Sequence, residues 1–248
     1  MPTKNLFPSW SKLPSSSHPD AFYGLQLDSD IMGTYSICGT NGSELDYTSR
    51  EPWFSIQDQF PKISFVSLNQ THSNLIHEVG KPIAPFINLG EGDGLTTTET
   101  GVGLTIRTAD CMPVWIRDSQ RLTLLHVGYQ GLAKGILEKG LSYHCGDDVT
   151  VMLGVHIRSC CLEIRQDIID LFSAYTGSMD GGILHRGGKT WLDMSQIVKN
   201  TLRAYGIHNI LEHPECSCHQ GWYSYRRNRT PLRMGHLAYR AWPLILSD

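Results

Sequence analysis

Apolar and polar residues alternate over residues 102–107, where Val102, Leu104 and Ile106 are interleaved with Gly103, Thr105 and Arg107. A period of two predicts a strand with one face on a core. Residues 63–68 are a β-prone run that stops at Asn69, and residues 75–79 return as a second short strand. Residues 113–116 and 122–126 read as strands joined by the polar turn Asp118-Ser119-Gln120, and residues 149–154 as a buried strand. The period lengthens to that of a helix at 132–143, with Leu132, Ile136, Leu137 and Leu141, and at 163–175, with Ile164, Ile168, Leu171 and Phe172. A further helix is expected at 195–205, where Gly206 supplies the residue past the last turn. Strands and helices that intermix along the chain predict α and β layers packed together and argue against an all-β sandwich. Four prolines and a triple serine make residues 1–20 an expected irregular arm ahead of one domain over residues 21–248. No element is assigned to the Gly/Ser/Thr-rich residues 28–50.

Three residues at the ends of these apolar runs carry candidate chemistry. They are His72 in Asn69-Gln70-Thr71-His72, Cys111 in Thr108-Ala109-Asp110-Cys111-Met112-Pro113, and His126 in His126-Val127-Gly128-Tyr129-Gln130-Gly131. Two imidazoles and one thiolate form a borderline-soft donor set that suits Zn²⁺, and three protein ligands leave a fourth position open for water or substrate. Separations of 39 and 15 residues do not by themselves distinguish such a site from a buried thiol and two hydrogen-bonded imidazoles. The glycines after His126 open a loop into the next helix, whose free N–H groups suit either an anion or a plain tight turn. A second grouping, His213-Pro214-Glu215-Cys216-Ser217-Cys218-His219, has a Cys-x-Cys-His spacing but lacks the second ligand pair of the familiar zinc-finger format.

Composition narrows the setting. A chain of 248 residues, 40% hydrophobic and 18% charged, suits one sizeable core. A formal net charge of -3 offers no global attraction to nucleic acid or to an anionic membrane. No apolar stretch reaches membrane-spanning length and the N-terminus has no apolar core of signal type, so a cytoplasmic location is expected. Seven cysteines at irregular spacing are expected as reduced thiols. The marked charge asymmetry is C-terminal: no acidic residue lies between Glu215 and Asp248, while Arg226, Arg227, Arg229, Arg233 and Arg240 accumulate. Most of these arginines are expected on a solvated face.

The motif Asp93-Gly94-Leu95-Thr96, the run from Gly103 through Ala109-Asp110-Cys111-Met112-Pro113, and His126-Val127-Gly128-Tyr129-Gln130-Gly131 resemble, in order and distance, the laccase-domain family of purine nucleoside phosphorylases, formerly called multicopper polyphenol oxidases. The resemblance continues through Cys160-Cys161-Leu162-Glu163-Ile164, Leu192-Asp193-Met194 with Asn200, Cys216-Ser217 and Tyr223-Ser224-Tyr225-Arg226-Arg227. It spans residues 45 to 240. The chain has Gln70-Thr71-His72-Ser73 where the family usually has Gln-Val-His-Gly, and Gly154-Val155 where it has Gly-Pro. Tyr129 and Gln130 stand in place of a Trp and an Arg, while both histidines remain.

The resemblance implies a single α/β domain, a layered α-β-β-α sandwich with mixed sheets. It implies zinc on His72, Cys111 and His126, with copper as the alternative metal. It further implies that inorganic phosphate cleaves adenosine, inosine, guanosine or 5′-methylthioadenosine to free base and ribose 1-phosphate, and that adenosine is also deaminated to inosine. Arg50, 22 residues before His72, stands close to where the family has Asn-Arg, and a guanidinium there matches phosphate oxygens. Gln70, Tyr225 and Arg226 are expected to contact the nucleoside or the phosphate, and Asp110 to move a proton beside the metal. Glu163 is expected merely to open a helix, where a carboxylate favours the macrodipole. The expected partners are therefore a purine nucleoside and phosphate, with neither nucleic acid nor membrane. Three other readings stay open: a copper-dependent polyphenol oxidase, against which the lack of closely spaced His-x-His pairs counts; a metal-free hydrolase using Cys111 and a His; and editing of peptidoglycan precursors.

Overall fold

The computed structural model describes residues 11–12, 22–25, 32–37, 62–82, 84–146, 148–219, 222–229 and 233–240, the first three segments as backbone strands. Arg50 lies outside the described residues. The apolar runs form short strands, in chain order β1 (Ser11–Lys12), β2 (Phe22–Leu25), β3 (Met32–Ile37), β4 (Ser64–Asn69), β5 (Ile76–Glu78), β6 (Phe86–Glu91), β7 (Gly94–Thr97) and β8 (Val102–Thr108). The series continues with β9 (Met112–Arg117), β10 (Leu122–Val127), β11 (Thr150–Leu153), β12 (Glu163–Ile164), β13 (Ile183–Arg186), β14 (Lys189–Leu192), β15 (Ile210–Glu212) and β16 (Met234–Arg240). The helices are α1 (Tyr129–Ala133), α2 (Ile136–Leu141), α3 (Gln166–Leu171), α4 (Met194–Ala204) and α5 (Tyr225–Asn228).

Two large sheets carry the domain. One runs in the order β1-β2-β3-β16-β8-β4-β6, the other β15-β11-β9-β10-β7-β5, and a small third sheet runs β12-β14-β13. Both large sheets are mixed: β4 is parallel to β6 and β8, β11 to β15, and β5 to β7, with antiparallel pairs between. The α/β class and single domain are those expected, and the third sheet is an addition. Val66, Leu104 and Ile106 of the first sheet meet Trp115, Leu122 and Leu124 of the second in one buried cluster. Trp115 Nε1 donates to Leu237 O across that interface at 3.2 Å. On its other face the second sheet presents Val114, Ile116, Leu125, Val127, Val151 and Leu153 to Leu132, Ile136, Leu137, Ile197 and Leu202 of α1, α2 and α4. Strand β9 is thus buried on both faces, so Val114, Trp115 and Ile116 are consecutively apolar rather than alternating. Burying each such side chain contributes about 1.5–3 kcal/mol.

Several expectations are corrected. The helix expected over 132–143 is two helices, because Gly135 between them adopts φ +79°, a left-handed conformation that interrupts helical hydrogen bonding. Glu163 does not open a helix: it lies in β12 opposite Trp191, and its carboxylate pairs with Lys189 Nζ at 2.8 Å. Cross-strand pairing outweighs the helical spacing there, so α3 starts only at Gln166 and closes in a 3-10 turn, Phe172–Ala174. Strand β1 falls inside the expected irregular arm, and β3 inside the stretch left without an element. The pairing of β3 with both β2 and β16 supplies what its weak local pattern lacks. Helix α4 forms as expected, with Asp193 accepting from Gln196 N at 3.0 Å and Gly206 at φ +76°. Among the described residues no helix is long and apolar enough to cross a membrane.

Candidate active site

The candidate ligands meet where the chain passes from one large sheet to the other. Beyond Asn69 the main-chain pairing of β4 ends, and the Gln70 side chain takes over. Its Nε2 donates to Arg107 O at 2.7 Å and its Oε1 accepts from Arg107 N at 2.8 Å, as a further strand residue would. This lays the loop carrying His72 over the end of β8. The connection Ala109-Asp110-Cys111 leads from β8 in the first sheet to β9 in the second, and His126 lies in β10 opposite Pro113. His72 and Asp110 both have positive φ, +57° and +83°. Each such residue costs on the order of 1 kcal/mol, and two at one site mark a locally constrained arrangement.

Cys111 Sγ stands 3.6 Å from His72 Nε2, and the ligand atoms of His72, Cys111 and His126 lie within 4.8 Å of one another. Gly128 permits this approach, because a Cβ there would fall 2.8 Å from His72 Cδ2 and 3.0 Å from Cys111 Sγ. Behind them Asp93 is fully buried. Its Oδ1 accepts from His126 Nδ1 at 2.7 Å and from His72 N at 3.0 Å, while its Oδ2 accepts from Ser73 N at 2.6 Å and Ser73 Oγ at 2.7 Å. Burial alone would raise the Asp93 carboxyl, but the bonds from His126 and Ser73 outweigh it and hold the group well below the usual carboxylate range. Burial likewise pushes the Cys111 thiol up; the charge and hydrogen bond of His126, with His72, bring it down to about 6. His126 is pushed down by burial and raised more strongly by Cys111 and Asp93, to about 9. The cluster thus favours a thiolate beside cationic imidazole, an arrangement that a divalent cation can replace.

A cavity of about 660 Å³ opens onto this cluster and is also lined by Gln70, Arg107, Asp110, Tyr129, Gln130, Leu162, Met194, Tyr225, Arg226 and Arg233. The structure therefore brings every expected site residue within its description to one place. Their present bonds are specific. Gln70 spends its amide on the Arg107 backbone. Asp110 Oδ1 accepts from Ser217 Oγ at 2.7 Å and its Oδ2 from Arg226 N at 2.6 Å. The Arg226 guanidinium donates to Glu163 O at 3.2 and 3.3 Å, and the exposed Tyr225 ring has the guanidinium groups of Arg229 and Arg233 over it, at 5.2 and 5.9 Å. Arg226, Arg227 and Arg229 are exposed, as expected of a solvated face, and two of the C-terminal arginines also clamp main chain: Arg227 donates to the carbonyls of Cys218, His219 and Trp222, and Arg240 to those of Thr98 and Gln120. Asp93, Ser217, Arg107 and Arg233 were not anticipated as site residues. Asp93 opens the motif Asp93-Gly94-Leu95-Thr96, Arg107 lies in the run that leads to Cys111, Ser217 belongs to Cys216-Ser217 and Arg233 to the C-terminal arginines, so each has a segment-level signal but only tertiary contact shows what it meets.

Residues 53–242 match the family described as multi-copper polyphenol oxidoreductase laccase. A purine nucleoside phosphorylase of Borreliella burgdorferi is 30% identical over 188 residues, covering 71% of this chain and 79% of its own. One of Aquifex aeolicus is 31% identical over 148 residues, 58% of this chain and 68% of its own. A protein named adenosine deaminase RL5, from an unknown prokaryotic organism, is 27% identical over 148 residues, 54% and 56% of the two chains. Among solved structures, the hypothetical protein YfiH of Bacillus licheniformis superposes with a TM-score of 0.76 at 22% identity, covering 88% of this chain and 96% of that one, which shows a shared fold.

Proposed function

Because the chain belongs to the multi-copper polyphenol oxidoreductase laccase family, with relatives named purine nucleoside phosphorylase, we propose that it cleaves purine nucleosides with inorganic phosphate at a zinc ion held by His72, Cys111 and His126. The observation that carries this reading is the convergence of two imidazoles and a thiol on a cavity of about 660 Å³ that also presents Arg107, Tyr225, Arg226 and Arg233. That volume lies within the usual range of small-molecule sites, roughly 300–1,000 Å³. The donor set fits zinc: with Zn–S about 2.3 Å and Zn–N about 2.0 Å, a tetrahedron has an S–N edge of about 3.5 Å, and Cys111 Sγ to His72 Nε2 is 3.6 Å.

Zinc bound there supplies Lewis-acid polarisation of a phosphate or water oxygen. The chain's own residues do the rest. Asp93 takes the Nδ1 hydrogen of His126, which leaves the Nε2 lone pair for the metal and fixes the ring. Arg50, Arg107 and Arg233 offset the charge of the attacking phosphate, and Tyr225 offers a ring face to the purine. Asp110 keeps a lone pair on each oxygen beyond the bonds it accepts, and carries the proton when adenosine is deaminated to inosine. Tyr129 and Gln130 change how the substrate is placed rather than how the metal is held, since neither is a ligand.

A second reading has one observation in its favour: the same Cys111 thiolate beside a cationic His126 suits a metal-free hydrolase. Incubating metal-replete protein with adenosine, with and without phosphate, and separating the products tests both. Adenine and ribose 1-phosphate are expected only with phosphate, and inosine without it, the latter weakened in Asp110→Asn. Activity that survives chelation supports the hydrolase instead. If no purine product forms and the copper-loaded protein oxidises a phenol, the oxidase replaces both.

A further inference from the structure

The Cys216-to-His219 segment has the second ligand pair that its sequence neighbourhood lacks. The fold brings it from the earlier loop: Cys160, Cys161, Cys216 and His219 place their ligand atoms within 4.8 Å of one another. Cys160 Sγ lies 3.6 Å from Cys161 Sγ, and His219 Nε2 lies 3.8 and 3.7 Å from these two sulfurs. A tetrahedral zinc with Zn–S about 2.3 Å and Zn–N about 2.0 Å has S–S edges of about 3.8 Å and S–N edges of about 3.5 Å. A disulfide needs its sulfurs at about 2.05 Å, and these cysteines are all free. We propose that Cys160, Cys161, Cys216 and His219 bind a second zinc ion, four-coordinate and closed, separate from the one at His72, Cys111 and His126.

The surroundings are built to hold these four side chains. Main-chain bridging between His156 and Cys216 joins the two loops, with Ser217 N donating to His156 O at 2.9 Å. Each loop turns tightly on itself, Cys161 N to Arg158 O at 2.9 Å and His219 N to Cys216 O at 3.1 Å. Arg158 N donates to Cys216 Sγ at 3.3 Å, which fixes where the sulfur points. Arg186 donates to Ser159 O and Arg227 to the carbonyls of Cys218 and His219, so a guanidinium clamps each ligand-bearing loop. Three thiolates and one imidazole are soft donors that select zinc over hard cations, and four protein ligands leave no position for substrate. The ion would pin what supports the cavity wall: Leu162, which lines it, follows directly on Cys161, Glu163 O accepts from the lining Arg226, and Ser217, which donates to the lining Asp110, follows on Cys216.

The test is metal stoichiometry by elemental analysis on untagged protein purified without added metal. Two zinc ions per wild-type chain are expected, one in Cys111→Ala and one in Cys160→Ser/Cys161→Ser. If the double variant fails to fold, Cys111→Ala carries the test alone, since it leaves the second cluster intact. That variant, loaded with Co²⁺, should show the intense visible absorption of tetrahedral thiolate ligation. Its Cys160, Cys161 and Cys216 should resist alkylation until a chelator is added, while exposed Cys145 reacts at once. A Cys111→Ala protein without metal overturns the proposal, as does one whose thiols become alkylatable only after reduction, which means a disulfide. A single zinc that persists in Cys111→Ala but is lost in the double variant supports this site and removes the metal from the proposed phosphorylase centre, so the two readings fail separately.

Discussion

His126 is held by a carboxylate 33 residues earlier in the chain, and that bond sets which ring nitrogen faces the cavity. Asp93→Asn keeps the size of the group but removes the charge and one acceptor. It is expected to weaken metal binding at this centre by about 10–100-fold, read by competition with a chromogenic chelator; an unchanged affinity would remove Asp93 from the site. Arg50→Ala is expected to raise KM for phosphate much more than KM for nucleoside, because a bidentate charged contact is lost while base contacts remain. Equal changes in both would assign Arg50 elsewhere. His72, Cys111 and His126 were legible in the sequence because their type and their flanking motifs point to metal chemistry. The part played by Asp93 was not, since nothing near it in sequence identifies the imidazole it meets.

Between α1 and α2 a single residue decides whether one helix or two forms. A Cβ added at Gly135, φ +79°, would meet only Glu138 Oε2 in ordinary van der Waals contact at 3.6 Å, so the cost of a side chain there is conformational rather than steric crowding by neighbours. Gly135→Ala is expected to destabilise by about 1–2 kcal/mol, measured by urea unfolding; a neutral result would show that the segment relaxes into one continuous helix. Elements with clear periods, such as β8, β10 and α4, were legible. Strands β13, β14 and β16 were not, because a mixed polar and apolar sequence becomes a strand there through its partners. The β13–β14 hairpin did carry a local signal, Gly187-Gly188, both at positive φ.

At the scale of the whole molecule, three histidines among the described residues, His156, His213 and His236, are buried as neutral groups. Burial pushes His156 and His213 down to about 4 and His236 to about 3, from an ordinary value of 6.5. Folded pKa values below the unfolded ones mean that below pH 6.5 the unfolded chain binds more protons than the native one. Stability present above pH 6.5 is therefore expected to fall as the pH drops toward 4, by up to roughly 4 kcal/mol per pH unit if all three contribute fully. Urea unfolding of metal-stripped protein at a series of pH values measures this, and His236→Gln should flatten the slope by about one proton; a slope that does not change shows that His236 is not the group responsible. These histidines looked in sequence like any others, and only the fold distinguishes them from exposed His185. By itself the sequence determined the α/β class, the stronger strands and the three candidate residues at the centre, because hydrophobic period, turn chemistry and donor softness are properties of short segments. Which histidine faces which carboxylate, that Cys160 and Cys161 join Cys216 and His219, and that Asp110 rests on Ser217 were decided by tertiary structure, because those contacts depend on sheet pairing and loop packing between segments distant in the chain.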